Sequence, residues 1–215
     1  MKKALVIILL FYQHILLGQE QDKTSVYANL EVGKAFAWVT EGSIYFAPNV
    51  TIYRPGFSAT LLVGWVNIDS EIYQEMLYSN IGYFTKMSAS LRLASFGSTN
   101  YVDGLYVGFG MGVSDFDEEG SVTFEGNYFD DYQVELTQSN RLLMFSYTTS
   151  VRTTLTKKWM FTAGLELSYI ATEYDQPHYP VYYVPGSGIV NLFGDSADNE
   201  SVTFSFSLTF GYKIK

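Results

Sequence analysis

The segment from Val202 to Ile214 constrains the fold most strongly, because apolar and polar residues alternate along it without a break. A period of two sustained over such a length predicts a β-strand with one apolar and one polar face. A tilted strand needs roughly 9 to 11 residues to cross a bilayer, so this segment is long enough to span one. Its apolar face carries Val202, Phe204, Phe206, Leu208, Phe210, Tyr212 and Ile214.

The same alternation recurs along the chain and predicts eight strands in all. Pro48 falls inside the second, where it suits an edge, a bulge or a strand start better than a continuous ladder. The predicted strands lie near 25–36, 44–53, 57–68, 81–95, 103–115, 139–155, 159–172 and 201–214.

The connections between these strands alternate in length. Three are short, after Arg54, around Gly97 and after Thr156, and the others are mostly longer. Short turns at one end and longer loops at the other are typical of bacterial outer-membrane barrels. We therefore predict an all-β fold, an eight-stranded antiparallel up-and-down transmembrane β-barrel. Its longer connections are predicted near 37–43, 69–80, 116–138 and 173–200.

Residues 1–18 are typical of a secretory signal peptide. Lys2 and Lys3 precede an apolar stretch, and Gly18 supplies a small residue at the expected cleavage site. A membrane anchor helix is the alternative, but the stretch is short and polar residues interrupt it. We predict cleavage of 1–18, a single barrel domain over 19–215, and an outer-membrane location.

Composition excludes several classes of site. The chain has no cysteine, which rules out disulfides, thiolate metal sites, a cysteine nucleophile and a lipid anchor on cysteine. It carries 22 acidic against 13 basic residues, which argues against nucleic acid as a partner. The four longer connections contain no Lys or Arg, so acidic charge is concentrated at one end of the predicted barrel.

Alternation does not say which face points outward. A soluble lipocalin-like barrel turns its apolar face inward around a ligand, whereas a membrane barrel turns it toward lipid. The polar faces here are rich in Ser, Thr and Gly, which suits a narrow, filled lumen. On these faces we predict ion pairs of Glu166 with one or more of Lys86, Arg92 and Arg152.

Aromatic residues near the strand ends also favour the membrane barrel, because such residues form girdles at membrane interfaces. The interior of an eight-stranded barrel is just wide enough for side chains to fill it. We therefore expect no diffusion pore, with large residues such as Phe84 packing on the inward glycines of the fifth strand. The aromatic residues are Trp65, Trp159, Phe204 and Tyr212.

Three motifs resemble those of a known family. They are the glycine-rich run 104–112 followed by Ser114-Asp115-Phe116, the turn Val184-Pro185-Gly186-Ser187-Gly188, and the ending Phe210-Gly211-Tyr212-Lys213-Ile214-Lys215. The order of elements is similar to that of small outer-membrane β-barrel proteins of Bacteroidota that form domains of unknown function. The resemblance implies an outer-membrane location in a diderm bacterium, and it carries over no catalytic residues.

An acidic cluster is the first candidate site. Carboxylate oxygens are the ligands that Ca²⁺ and Mg²⁺ prefer, although the complete spacing of an EF-hand is missing. The alternatives are a solvated acidic loop, and divalent ions that bridge the carboxylates to lipopolysaccharide phosphates. No other cofactor is predicted. The cluster comprises Asp115, Asp117, Glu118 and Glu119.

The last long connection is the second candidate site, because tyrosines concentrate there beside prolines. Tyrosine offers a large contact area at low entropic cost, which predicts a partner- or glycan-binding surface. The alternative is a loop that folds back over the barrel mouth. His178 has no serine at a recognisable spacing, so we predict no enzyme. The candidate residues are Tyr174, His178, Tyr179, Tyr182 and Tyr183.

Together these patterns predict a small outer-membrane barrel with a structural or interaction role. Its acidic loops would contact lipopolysaccharide with divalent ions, or a protein complex of the envelope. A lipid-modifying barrel enzyme and a soluble periplasmic ligand-binding barrel remain as alternatives.

Overall fold

The computed structural model of the chain describes residues 24–32, 44–71, 76–96, 101–124, 132–172, 182–190 and 202–215. The fold is all-β. Among the residues described, no helix is long and apolar enough to cross a membrane. The strands are β1 (Ser25–Glu31), β2 (Ile44–Arg54), β3 (Phe57–Glu71), β4 (Met76–Ala94), β5 (Gly104–Phe124), β6 (Tyr132–Thr154), β7 (Trp159–Ile170), β8 (Tyr182–Val184), β9 (Gly188–Val190) and β10 (Val202–Lys213).

Eight of these strands close into an antiparallel barrel. Strands β1 to β6 each pair with the next, β7 pairs with β10, and β10 returns to pair with β1. The closing register places Tyr27 opposite Lys213 and Glu31 opposite Thr209. Closure leaves no open sheet edge around this ring. The predicted eight-stranded antiparallel barrel is confirmed, whereas the predicted signal peptide lies outside the described residues.

Pro48 lies inside β2 rather than at an edge or a strand start. It pairs with Leu30 of β1. Toward β3 the ladder stops after Phe46 and resumes at Asn49 in the same register. Because proline has no N–H to donate, the wall accommodates it by omitting pairing locally, without inserting an extra residue.

Two predicted long connections are largely strand. The connection predicted over 69–80 shrinks to 72–75, because β3 runs to Glu71 and β4 begins at Met76. The one predicted over 116–138 is also mostly paired, with β5 continuing to Phe124 and β6 starting at Tyr132. Backbone pairing needs no apolar outer face, so these strands continue where the outward positions have become polar.

The last long connection contains the hairpin β8–β9. Strand β9 pairs with the start of β10, placing Val190 opposite Thr203 and Ile189 opposite Phe204. Strand β1 pairs farther along β10, from Thr209 onward. The hairpin therefore occupies the side of β10 that the short β1 does not reach, and its tip at 185–187 is buried.

The apolar faces of the barrel strands point outward. Tyr83 and Phe109 are the most exposed large hydrophobic side chains of the described wall, at 66% and 65%. The alternate positions, which are mostly polar, are buried in the lumen. The outward positions of β7 and β10 carry Trp159, Phe161, Ala163, Leu165, Leu167, Tyr169, Val202, Phe204, Phe206, Leu208, Phe210 and Tyr212.

Candidate functional site

An aromatic cluster fills the barrel end that carries Ser25 and Lys213, here called the terminal end. The Tyr27 and Tyr53 rings meet edge to face with their centroids 5.4 Å apart. Tyr53 in turn meets Tyr106 at 6.4 Å. These inward tyrosines interrupt an otherwise small, polar lining, and that interruption is the sequence signal for the cluster. Its buried members are Tyr27, Tyr53, Val102, Tyr106 and Met160.

The described part of the connection between β4 and β5 that precedes β5, residues 101–103, folds into this end. The Tyr106 hydroxyl donates to the Val102 carbonyl at 2.9 Å, and Arg92 Nη1 donates to the Tyr101 carbonyl at 2.7 Å. The Tyr101 hydroxyl donates to Ser25 Oγ at 2.7 Å. These bonds fix the connection across the terminal end, so Arg92 serves this closure instead of facing Glu166.

Asp103 ties the same connection to the end of β6. Its Oδ1 accepts from the Thr154 backbone N–H at 2.7 Å and from Thr154 Oγ1 at 2.8 Å. Asp103 is buried, at 6% exposure. Sequence reasoning missed this carboxylate because its partner lies far away along the chain.

The opposite end, here called the distal end, is filled by the hairpin tip and Phe84. A Cβ placed on Gly186, at the tip, would overlap the Phe84 ring, and so would a Cβ on Gly64 of β3. Tyr45 stacks on Phe84 with centroids 5.9 Å apart. Phe84 thus packs on these two glycines, and the expectation that it packs on those of the fifth strand is wrong.

Between the two ends lies a polar chamber of about 100 Å³. A single water needs roughly 10–15 Å³, so the chamber has room for several. Gly186 of the hairpin tip and Tyr53 of the aromatic cluster both line it, which places it inside the lumen. Its other polar walls include Asn29, Asn49, Thr51, Thr60, Ser88, Ser90, Thr148, Ser150, Thr162, Ser207 and Thr209.

Lys86 and Glu166 form an ion pair in the chamber wall. Lys86 is 8% exposed and Glu166 is 7% exposed. Glu166 also accepts from Ser168 Oγ at 2.7 Å. Of the predicted partners of Glu166, the structure therefore brings Lys86 to it.

Arg152 is placed at the boundary of the chamber and the aromatic cluster. Its Nη1 donates to Ser58 Oγ at 2.5 Å, and its guanidinium carbon lies 4.0 Å from the centre of the Tyr106 ring. Arg152 forms no ion pair with Glu166. The prediction of an inward Arg152 holds, but its neighbours are hydroxyl groups and aromatic rings.

An amide and hydroxyl network lines the chamber along β1, β2 and β3. Asn29 Nδ2 donates to Asn49 Oδ1 at 2.6 Å and to Thr51 Oγ1 at 3.0 Å. The Thr51 and Thr60 hydroxyls lie 2.9 Å apart. These bonds satisfy the Asn29 amide nitrogen and the Thr51 hydroxyl, which would otherwise be costly to bury, whereas Asn29 Oδ1 is buried without a hydrogen-bond partner.

The four predicted metal ligands do not converge. They lie on β5 rather than in a loop, and strand alternation sends Asp115, Asp117 and Glu119 outward while Glu118 is buried inside. Glu118 accepts from Asn140 Nδ2 at 2.8 Å. No group of three or more His, Asp or Glu side chains within the described part of the chain is placed to hold a metal. The predicted cluster is therefore split between two faces.

The structure describes only part of the predicted partner surface. Tyr182 and Tyr183 lie in strand β8, not in irregular loop. Tyr174, His178 and Tyr179 lie outside the described residues.

No protein-family model matches the chain, and no curated protein sequence matches it. A proposal about its function therefore depends on the arrangement of side chains described above. That geometry combines a lumen filled at both ends, a small polar chamber with an ion pair, and an apolar outer surface.

Proposed function

We propose that this protein is a small outer-membrane barrel with a structural or interaction role. The observation that carries the proposal is the apolar outer surface. Along β7 every outward position from Trp159 to Tyr169 is uncharged, and most are aliphatic or aromatic. A water-soluble barrel would turn such residues inward, since burying them is the main driving force of its folding.

The strand lengths support the same location. β10 has 12 residues, which at about 3.3 Å each and a tilt of 35–45° rise roughly 30 Å along the barrel axis. The apolar band of outer-membrane barrels is about 25 Å tall. Trp159 and Tyr212 pack edge to face, with centroids 5.1 Å apart, near the terminal end. Aromatic pairs at this height suit the interfacial girdle.

We further propose that the barrel does not conduct. The aromatic cluster fills one end, Phe84 and the hairpin tip fill the other, and the Lys86–Glu166 pair lies between them. An open pore would require several of these side chains to move together. We therefore assign the role of the protein to contacts of its outer surface and not to transport through its lumen.

The outward carboxylates of β5 are the proposed contact with lipopolysaccharide. Asp115, Asp117 and Glu119 are exposed at successive outward positions beyond Val113, where the apolar face ends. They are too few and too spread to complete a Ca²⁺ or Mg²⁺ shell, which takes six or more oxygens. Phosphate oxygens of lipopolysaccharide would complete it. A protein complex of the envelope is the other proposed partner of this surface.

Fractionation of the native envelope tests the location. The protein should sediment with the outer membrane, and its migration on a detergent gel should change on boiling, because a closed barrel resists detergent until heated. Recovery in the soluble fraction with no shift on boiling would overturn the proposal. That result would favour the alternative of a soluble periplasmic barrel that binds a ligand.

Binding to lipopolysaccharide micelles tests the proposed contact. Wild-type protein in detergent should bind in Ca²⁺ and be released by a chelator. The double variant Asp117→Asn/Glu119→Gln should bind more weakly, whereas Thr137→Val, on the neighbouring strand, should bind like wild type. Equal binding by all three proteins would exclude these carboxylates as the contact.

The proposal assigns no catalysis to the barrel. Deleting the protein should leave the lipid A profile unchanged. A changed profile that wild type restores and His178→Ala does not would favour a lipid-modifying enzyme.

A further inference from the structure

Arg152 is a buried cation whose contacts leave part of its guanidinium unused. The residue is 7% exposed. Nη1 donates to Ser58 Oγ at 2.5 Å and Nη2 to Ser90 Oγ at 3.4 Å. The guanidinium lies over the rings of Tyr106 and Tyr53, 4.0 and 5.3 Å from their centres. Nε is fully buried and has no hydrogen-bond partner.

Among the described residues, none supplies a counter-charge in contact with Arg152. In the described part of the chain no carboxylate lies within ion-pair distance of it. The two carboxylates that line the same chamber have partners of their own. Glu166 is paired with Lys86, and Glu31 accepts from the Tyr45 hydroxyl at 3.0 Å.

A buried charge without a counter-charge is costly. The penalty persists even after relaxation of the protein and penetration of water. Each cation–π contact is weaker than this penalty, and the serine hydroxyls add neutral hydrogen bonds. These contacts offset part of the penalty, and a bound anion would offset the remainder.

We propose that the polar chamber binds one small inorganic anion, such as chloride or phosphate, against the guanidinium of Arg152. Arginine is the side chain best suited to oxyanions, since it presents five donors in a planar fork. The hydroxyls of Ser90, Ser150 and Thr162 line the chamber and are further donors. No metal or enzyme chemistry is implied, and the proposal does not depend on where the barrel resides.

The chamber limits the size of this anion. Its volume of about 100 Å³ admits a chloride or phosphate ion with some water, and not a sugar acid. A phosphate attached to lipid would not fit between the aromatic cluster and the hairpin tip. The ligand is therefore a free ion, and gluconate serves as a size-excluded control.

The test is thermal unfolding of the full-length barrel in detergent at constant ionic strength. Potassium gluconate is replaced stepwise by chloride or by inorganic phosphate. For wild type, at least one of the two should raise the midpoint. When the concentration of that ion is well above its dissociation constant, each further tenfold increase in concentration should raise the apparent folding equilibrium constant tenfold.

Two variants assign this dependence to Arg152. The unfolding midpoint of Arg152→Met should no longer depend on the anion. Arg141→Met removes an exposed arginine from the outer face of β6, and its midpoint should keep the wild-type dependence. If Arg152→Met does not fold, bromide-soaked crystals of the wild-type protein decide the question. An anomalous peak beside the guanidinium is expected there.

Some results would overturn the proposal. One is a wild-type midpoint that is the same in chloride, phosphate and gluconate. Another is a dependence that survives Arg152→Met, which would place the ion elsewhere. In crystals soaked with bromide and in crystals soaked with phosphate, water beside Arg152 with no density for either anion would show that the chamber is hydrated and holds no anion.

Discussion

Gly186 lies so close to Phe84 that a single added methyl group would overlap the ring. This contact joins the tip of the β8–β9 hairpin to the wall strand β4. The Ser187 hydroxyl is hydrogen-bonded to that of Thr203 beside it, on β10. The hairpin is thus held from two sides of the lumen, and it closes the distal end as a packed part of the core.

Gly186→Ala should destabilise the barrel more than Gly56→Ala. Both glycines have a φ of 78°, so both variants incur the left-handed backbone penalty of about 1–2 kcal/mol. Gly56 has nothing within 4 Å of an added Cβ, whereas Gly186 meets Phe84. Overpacking should add about 1–3 kcal/mol at Gly186, measured by urea unfolding in detergent.

A second substitution identifies Phe84 as the cause of this difference. Phe84→Ala should cost less in the Gly186→Ala background than in wild type, because the overlap between the added methyl group and the ring disappears with the ring. Additive effects of the two substitutions would show that the hairpin tip does not pack on Phe84.

Removing one member of the Lys86–Glu166 pair should be worse than removing both. Lys86→Met leaves a buried carboxylate without its cation and should cost about 3–5 kcal/mol in the free energy of unfolding. The double variant Lys86→Met/Glu166→Leu removes both charges and should lie much closer to wild type. Urea titration of wild type, the single variants Lys86→Met and Glu166→Leu, and the double variant measures the coupling. A loss in the double variant equal to the sum of the two single losses would contradict a direct pair.

Asp103→Ala should weaken the terminal end. The substitution leaves the Thr154 N–H and hydroxyl without their acceptor, which should cost about 1–3 kcal/mol. Asp117→Ala is the control, since the hydrogen bond of Asp117 to Ser139 Oγ is solvent-exposed. Protease cleavage near Tyr101 should be faster in Asp103→Ala than in the control, and equal rates would mean that Asp103 does not hold the connection.

An arginine on the outer surface should distinguish lipid from water around the barrel. In a bilayer, Leu165→Arg should cost about 2–4 kcal/mol, and Ile214→Arg, beyond the end of β10, about 0–1 kcal/mol. Both side chains are exposed, at 47% and 62%. Refolding into lipid vesicles measures the difference, and two equally mild effects would favour an aqueous surface.

The strand faces were predictable, while the strand ends were not. Alternation from Val202 to Tyr212 correctly indicated a two-faced strand, because side chains change faces at each residue. Beyond Asp115 the positions that carried the apolar face become Asp117, Glu119, Ser121 and Thr123, so the extension of β5 to Phe124 was not predicted. Pairing with β6 decides that extension through the backbone.

The candidate site was predictable only in its residue types. The sequence indicated inward charges, and the pairing of Lys86 with Glu166 was among the predicted combinations. It did not indicate that Arg152 would lie on Tyr106, or that Asp103 would reach Thr154. These contacts join residues whose separation along the chain carries no information about their distance in a closed barrel.

The sequence by itself determined that the chain forms eight two-faced strands, because backbone geometry turns a period of two into two faces. Tertiary structure decided which face points outward, because a period of two is the same for a barrel with its apolar face inside or outside, and only the closed wall shows the apolar positions of β7 and β10 on the outer surface. It also decided what fills that lumen. Tyr53 and Phe84 come from different strands, and only the curvature of the closed wall directs them toward opposite ends of one chamber.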